Sequence, residues 1–309
     1  MPDTSANFRQ KKCPMLQVAT HNGTFHADDV FAFAVLKAAT NGQLELTRSR
    51  DDALFAAADV LFDVGGVCDP SRHRYDHHMR DKPYRDDGMP FSSLGLVWQD
   101  FGRAAVRTLQ PGIDKGQTEQ VWRMLDQGVI RDIDISDNGA LPSNPGHVAL
   151  ILESWNPTHA ETGRDEHEAF HEAAAIAGII LGRCVAQASA AVQAMGEVDA
   201  AAKTAADPRI LLLERKVPWE DAVFELGLDQ ALYVVRPAGK AWTVSAVPPE
   251  NGSFAQRKPL PDAWGGLRDA AMAEASGVAD ATFCHPALFV CGALSRDGAM
   301  ALARKAAEA

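Results

Sequence analysis

Short apolar runs alternate with longer mixed stretches through the first part of the chain, a pattern that predicts strands and helices in turn. Residues 15–19 are too few for a helix and are bounded by polar turn residues, so a buried strand is predicted there, followed by a helix over 30–39. A weaker strand at 43–47, a short helix at 51–57 and an apolar strand at 60–63 repeat this unit. Gly65 and Gly66 then allow an abrupt turn. Residues 68–90, rich in Asp, Arg, Pro and Gly, read as a long functional loop containing one short strand. Ser92 or Ser93 caps a helix running to about 109, with Leu94, Val97, Trp98 and Phe101 on one face. A helix over 117–127 leads into VIRDIDISDNG, where Asp132, Asp134 and Asp137 crowd a turn.

Residues 142–157 read as an irregular connection and 165–194 as a long alanine-rich helix able to bridge two domains. The small, polar stretch EVDAAAKTAADP places a boundary near 200–208. Beyond it, strands are predicted at 210–213, 231–236, 242–247 and 288–291, and helices at 219–225, 265–275 and 298–308. The expectation is an α/β protein in three parts. These are a disordered lead-in over 1–14, a parallel-sheet α/β domain over 15–200 that includes the linking helix, and a smaller α/β domain over 206–309.

A chain of 309 residues, 46% hydrophobic and 23% charged, has the make-up of a folded protein. No uninterrupted apolar run approaches the roughly 18 residues that cross a bilayer, and residues 1–14 lack the apolar core of a secretory signal, so no membrane partner is expected. Cysteines at 13, 68, 184, 284 and 291 are scattered and include no C-x-x-C pair. That argues against a disulfide framework or zinc ribbon and for a reducing, cytoplasmic setting. A net charge of -11 excludes a protein that coats duplex nucleic acid non-specifically, since such binders neutralise many phosphates. Most of the acidity falls in residues 1–205.

That acidic part also holds the chemistry. In MLQVATHNGTFHADD the apolar run ends at His21 and reaches His26, Asp28 and Asp29 within eight further residues. Ligands of open α/β sheets sit just beyond strand carboxyl ends, where this loop falls. Imidazole with carboxylate suits Zn or Mn, whereas Mg and Ca more often take oxygen alone. Asp29 reads as the helix cap. Asp63 at a strand end, Asp76-His77-His78 in the long loop and Asp137 in a turn recur at the same edge. Six candidate ligands, His21, His26, Asp28, Asp63, His77 and Asp137, exceed one tetrahedral site. Two ions roughly 3.5 to 4 Å apart sharing Asp63 would use them all. His78, beside His77 in an extended loop, is expected to point the other way, toward a substrate oxygen. His167-Glu168-Ala169-Phe170-His171 satisfies H-E-x-x-H but lacks a third ligand in the protease pattern, so both histidines are expected on an exposed helix face. Cys284 and Cys291 read as two buried thiols.

The ordered set H-x4-H-x-D, D-x-G-G, D-H-H and S-D resembles the DHH phosphoesterase superfamily, which includes manganese pyrophosphatases, RecJ-type exonucleases and oligoribonucleases. THNGTFHADDVFAFAVL, FDVGG, RYDHHMR, FSSLGLVW and RKPLPDAWGGLRD are more closely similar to the melanocyte-proliferating-gene family, also described as metal-dependent protein hydrolases. The resemblance implies a DHH-type α/β domain joined by a helix to a substrate-binding domain. By motif it makes His21, His26, Asp28, Asp63, His77 and Asp137 ligands of two divalent ions, with Mn²⁺ expected and Mg²⁺ or Zn²⁺ as alternatives, and gives His78 to the phosphate. The chain departs from the superfamily's H-x3-D-x-D by placing His26 at the middle aspartate with one extra residue. The Gly-Gly-Gly-His motif is replaced at most by CHPALFVCGALSRDG.

The expected activity is metal-dependent hydrolysis of a phosphodiester, as a 3′ to 5′ exonuclease on short single-stranded RNA or DNA. The alternatives are a phosphatase or pyrophosphatase acting on small molecules, and a metal- or RNA-binding protein without turnover. In the second domain Arg236, Arg257, Lys258, His285 and the helix start at Gly298 are the candidates for holding phosphate.

Overall fold

The computed structural model describes residues 15–140 and 144–309, and the expected lead-in over 1–14 lies outside them. The chain is mixed α/β and divides into two units, Met1–Ser189 and Ala190–Ala309, each holding one five-stranded sheet.

In the first unit, Leu16–Thr20 (β1), Leu44–Arg48 (β2), Val60–Phe62 (β3), Cys68–Asp69 (β4) and Arg74–Tyr75 (β5) form a sheet of order β2-β1-β3-β5-β4. All strands are parallel except β4, which pairs antiparallel with β5. Parallel neighbours need crossovers, supplied by Ala27–Ala39 (α1) between β1 and β2 and by Asp52–Ala57 (α2) between β2 and β3. α1 is buried at every position over 27–36, which explains a sequence apolar almost all round. The pairings Thr20↔Arg48 and Phe62↔Tyr75 bring four strand ends level at one edge. The residues that leave that edge are His21, Asp63 and the Asp76-His77 pair, beside the loop that follows β2.

Ser93–Leu109 (α3) and Lys115–Leu125 (α4) follow. Past a wide turn in which Gly128 leaves helical angles, Asp132, Asp134 and Asp137 lie in a helix, Arg131–Asp137 (α5), not in the predicted turn. Buried Ile130 and Ile133 anchor it. Asp134, fully buried, accepts from Ser92 N and Oγ and from Gly95 N, and pairs with Arg85. A carboxylate that would favour a turn in an isolated peptide is thus satisfied by α3. Within the stretch expected to be irregular, Val148–Glu153 (α6) is helical.

Glu166–Thr204 (α7) runs ten residues beyond its predicted end. Among the described helices it alone is long and apolar enough, by length and composition, to cross a bilayer, although no such segment was expected. Its apolar positions Ala169, Phe170, Ala173, Ala177, Leu181 and Val185 recur at helical spacing and are buried on one face.

The second unit begins within α7, ahead of the predicted boundary at 200–208, because Val198 belongs to its core with Leu211, Trp219, Val223 and Val234. Ile210–Leu212 (β6), Tyr233–Ala238 (β7), Ala241–Ala246 (β8), Ala281–Cys284 (β9) and Val290–Ala293 (β10) form a sheet of order β6-β7-β8-β10-β9. Only β6 and β7 are parallel. Helices Glu220–Glu225 (α8), Asp269–Ser276 (α9) and Arg296–Glu308 (α10) complete the unit, with Leu302, Ala303 and Ala306 of α10 packed on Tyr233, Val235 and Val244. β9 was not predicted. It pairs Cys284 opposite Cys291, and both are buried free thiols.

Candidate metal centre

Each side chain of the centre is aimed by the end of an element. His21 follows β1, Asp63 follows β3, His77 follows β5, Asp28 and Asp29 open α1, and Asp137 closes α5. Asp63 has φ of 59°, a left-handed conformation uncommon outside glycine, and its N–H donates to Tyr75 O at 3.1 Å. In that conformation its Oδ2 lies 3.0 Å from His21 Nε2 and its Oδ1 lies 3.1 Å from His77 Nε2. His77 Nε2 is also 3.7 Å from Asp28 Oδ2 and 3.5 Å from Asp137 Oδ2. Five of the six predicted ligands therefore converge around Asp63.

The sixth, His26, is exposed and does not join His21, but its donor atom lies within 4.8 Å of those of Asp28 and Asp137, a group with metal-ligand spacing of its own. The place beside His21 is taken by Asp29, whose Oδ2 is 3.4 Å from His21 Nε2. Asp29 does cap the helix, since its Oδ1 accepts from His26 N at 3.0 Å, but the cap occupies only one oxygen. The Asp28-Asp29 doublet was the available sign that one carboxylate could cap while another faced the site. The structure thus groups His21, Asp29 and Asp63, with donor atoms within 4.8 Å of one another.

His77 and His78 do not point in opposite directions. Their rings are 4.2 Å apart between centroids, and Asp63, His77 and His78 form a further group with metal-ligand spacing. They differ in environment. The His77 side chain is 7% exposed and that of His78 60%. Asp76, which sequence reasoning left without a role, accepts from His78 N at 3.0 Å, contacts His78 Nδ1 at 2.8 Å, and binds Gly66 N with its other oxygen. Ser93 likewise holds Asp28, donating to Oδ2 from N at 3.2 Å and from Oγ at 2.8 Å.

Burial alone would raise the Asp63 carboxyl, but hydrogen bonds from His21 and His77 outweigh it and hold the group at about 2. Burial disfavours charge on His77, yet the Asp63 hydrogen bond and the charges of Asp28 and Asp137 push it up to about 9. Asp137 is pushed up to about 8 by burial and by Asp28. Asp28 and Asp29 are raised by burial and by neighbouring carboxylates. The cluster therefore retains protons at neutral pH that a cation would replace.

The donor set fits divalent metal. His21 Nδ1 sits 3.0 Å from Asn22 O, a carbonyl that can only accept, so Nδ1 carries a proton and Nε2, aimed at Asp29 and Asp63, is the nitrogen left to bind a cation once it gives up its own proton. Asp28 Oδ1 and Asp29 Oδ2 are moreover buried without a hydrogen-bond partner. A cavity of about 560 Å³ opens over His21, His26, Asp63 and His78, walled in part by Arg50 and by Gly65-Gly66.

The phosphate candidates of the second unit are mostly engaged elsewhere. Arg257 donates to the carbonyls of Leu228, Ala231 and Pro248 and stacks on Phe224, and Lys258 donates to Ala307 O. Both are backbone ties. At the α10 start, Ser295 Oγ accepts from Gly298 N and the Asp280 carboxylate lies against Gly298, so a negative charge already occupies the place proposed for phosphate. His285 is exposed, with Nδ1 accepting from Ala287 N, and Arg236 lies on β7 with a buried, unpartnered Nε. His167 and His171 are both exposed on α7 and enter no group with metal-ligand spacing among the described residues.

Comparison with known proteins agrees with the sequence motifs. The chain is 31% identical to the MYG1 protein C694.04c of Schizosaccharomyces pombe over 94% of this chain and 97% of that one. It is 29% identical to the MYG1 exonuclease of Homo sapiens over 96% and 87%. Among solved structures, RecJ from Thermus thermophilus in complex with Mn²⁺ aligns with a TM-score of 0.26 and 16% identity, covering 95% of this chain and 52% of RecJ. The chain thus spans about half the length of RecJ. A family model also matches residues 17–307, and with it the chain belongs to the family described as MYG1_exonuc, Uncharacterised protein family (UPF0160).

Proposed function

We propose that the protein is a metal-dependent phosphoesterase that removes nucleotides from the 3′ end of short single-stranded RNA or DNA, using two divalent ions, Mn²⁺ by preference. The observation that carries this is Asp63, one oxygen facing His21 and the other facing His77. That is the disposition a shared carboxylate needs. The names of the MYG1 exonuclease relatives support the nucleic-acid substrate.

The chain's own residues divide the work. His21, Asp29 and Asp63 would hold one ion, and Asp28, Asp63, His77 and Asp137, joined by His26 beside Asp28 and Asp137, the other. Bound there, the ions would supply Lewis acidity toward the phosphoryl oxygens and make water nucleophilic near neutral pH. Ser93 fixes Asp28, and Asp76 holds Nδ1 of His78, leaving Nε2 of that exposed ring for a phosphoryl oxygen. A cavity of about 560 Å³ is within the range that encloses a small ligand such as one nucleotide.

The test is incubation of end-labelled short RNA and DNA with Mn²⁺, Mg²⁺ or chelator, reading product length over time. Stepwise shortening from the 3′ end with metal, and none with chelator, is expected. Turnover of small phosphate esters alone would make the protein a phosphatase. Metal-loaded protein inert toward both classes would remove catalysis altogether.

A further inference from the structure

β2 delivers two arginines to the catalytic edge of the sheet, and they have opposite surroundings. Arg48 is buried and fully engaged. Its Nε donates to His21 O at 3.2 Å, its terminal nitrogens donate to Glu166 O at 3.0 Å and Gly23 O at 2.7 Å, and its guanidinium lies 4.5 Å from the Phe170 ring centroid. It clamps the loop that carries His21 and has no task left for a ligand.

Arg50, two residues on, is exposed and forms no side-chain hydrogen bond or ion pair with any described residue. It lines the same cavity as His21, Asp63 and His78, and among the described residues it is the one Arg or Lys there. A phosphate entering a cavity floored by carboxylates meets repulsion that bound metal offsets only in part. A fixed cation in the wall lowers the remainder, and the guanidinium fork matches two phosphoryl oxygens. Arg257 and Lys258, the expected sources of that charge, are tied to backbone carbonyls.

We propose that Arg50 is the phosphate-recognition residue of the site, binding non-bridging oxygens of the substrate phosphate from within the metal-binding unit itself. The assignment deepens the phosphoesterase reading and rests on it for the substrate class. The strand order supplies the placement: β2 lies beside β1 and parallel to it, so the loop after β2 rises at the edge where His21 leaves β1.

The test compares the parent chain with Arg50→Gln and Arg50→Lys, each loaded with Mn²⁺. Metal content is measured first and is expected to be equal in all three, because Arg50 touches no ligand carboxylate. Calorimetric titration with inorganic phosphate and with a nucleoside 5′-monophosphate then reads the site without turnover. Arg50→Gln should weaken both by about 10- to 100-fold, the range for a hydrogen bond to a charged group, and should show a gentler salt dependence than the parent. Arg50→Lys should recover part of the loss. Parental phosphate affinity in metal-replete Arg50→Gln, or no phosphate binding by the metal-loaded parent, would overturn the proposal. Arg50-dependent phosphate binding in a parent that cleaves no oligonucleotide would sink the exonuclease reading and leave this one standing.

Discussion

Oδ2 of Asp29 lies 3.4 Å from Nε2 of His21, although Asp29 sits in the first turn of α1 and its other oxygen caps the helix. Asp29→Asn should therefore keep the cap through the amide oxygen yet weaken metal binding beside His21 by about 10- to 100-fold or more. His26→Ala should retain that ion, since His26 lies with Asp28 and Asp137. Metal analysis after dialysis against a buffered Mn²⁺ series distinguishes them. The reverse order would return His26 to the first site.

Asp63 needs both its charge and its left-handed backbone. Asn tolerates positive φ where Ala is strained by roughly 1 kcal/mol or more, so Asp63→Asn is the cleaner probe. It should remain folded, bind less metal, and lose activity by more than about 100-fold, since even loss of a ligand's hydrogen-bond partner reaches that range. Full metal content with parental turnover would remove Asp63 from the centre.

His77 and His78 should fail differently although their rings are in contact. His77 is buried among three carboxylates, so His77→Ala should lose metal and activity together. His78→Ala should keep its metal and slow turnover by on the order of 10² to 10³, as for one lost oxyanion donor. Asp76→Ala, which removes the acceptor of His78 Nδ1, should reproduce part of that rate defect without metal loss. Equal metal loss in all three variants would make His78 a ligand.

Chelated protein should lose stability as pH rises. His77 is raised from 6.5 to about 9, so its contribution is fully present below pH 6.5 and is lost through pH 9. Asp137, raised from 3.8 to about 8, has the same sign: the folded state holds a proton that the unfolded state has released, and stability falls between those values. Asp63, lowered to about 2, has the opposite sign and gives stability that is lost as pH falls through 2. Thermal unfolding of the chelated chain should be highest near pH 4 to 6 and decline toward pH 9. Mn²⁺ should release protons at pH 7 and fewer near pH 10, where His77 and Asp137 have already lost theirs. Calorimetry in buffers of different ionisation enthalpy reads that number, and a pH-independent release would contradict these assignments.

The first half of the fold was legible because its signals are local. Apolar runs ending at His21 and Asp63, glycines after Asp63 and a polar loop around Asp76-His77-His78 mark strand ends within a few residues. α5 was not legible, because whether Asp134 starts a turn or sits in a helix depends on donors at Ser92, Gly95 and Arg85, distant in sequence. β9 was missed for a related reason, since ATFC becomes a strand by pairing with VCGA.

The sequence by itself determined which residue types reach the edge of the sheet, since strand length, turn chemistry and side-chain alternation are properties of neighbouring residues. Only the tertiary structure decided what each of them does there. Asp29 faces His21 because α1 begins beside the ends of β1 and β3, Arg48 becomes a clamp because Glu166 and Phe170 close over it, and Arg50 has no side-chain partner among the described residues. A charged side chain takes its role from the partners within a few ångströms of its head group, and those partners are assembled from strands and helices far apart in the chain.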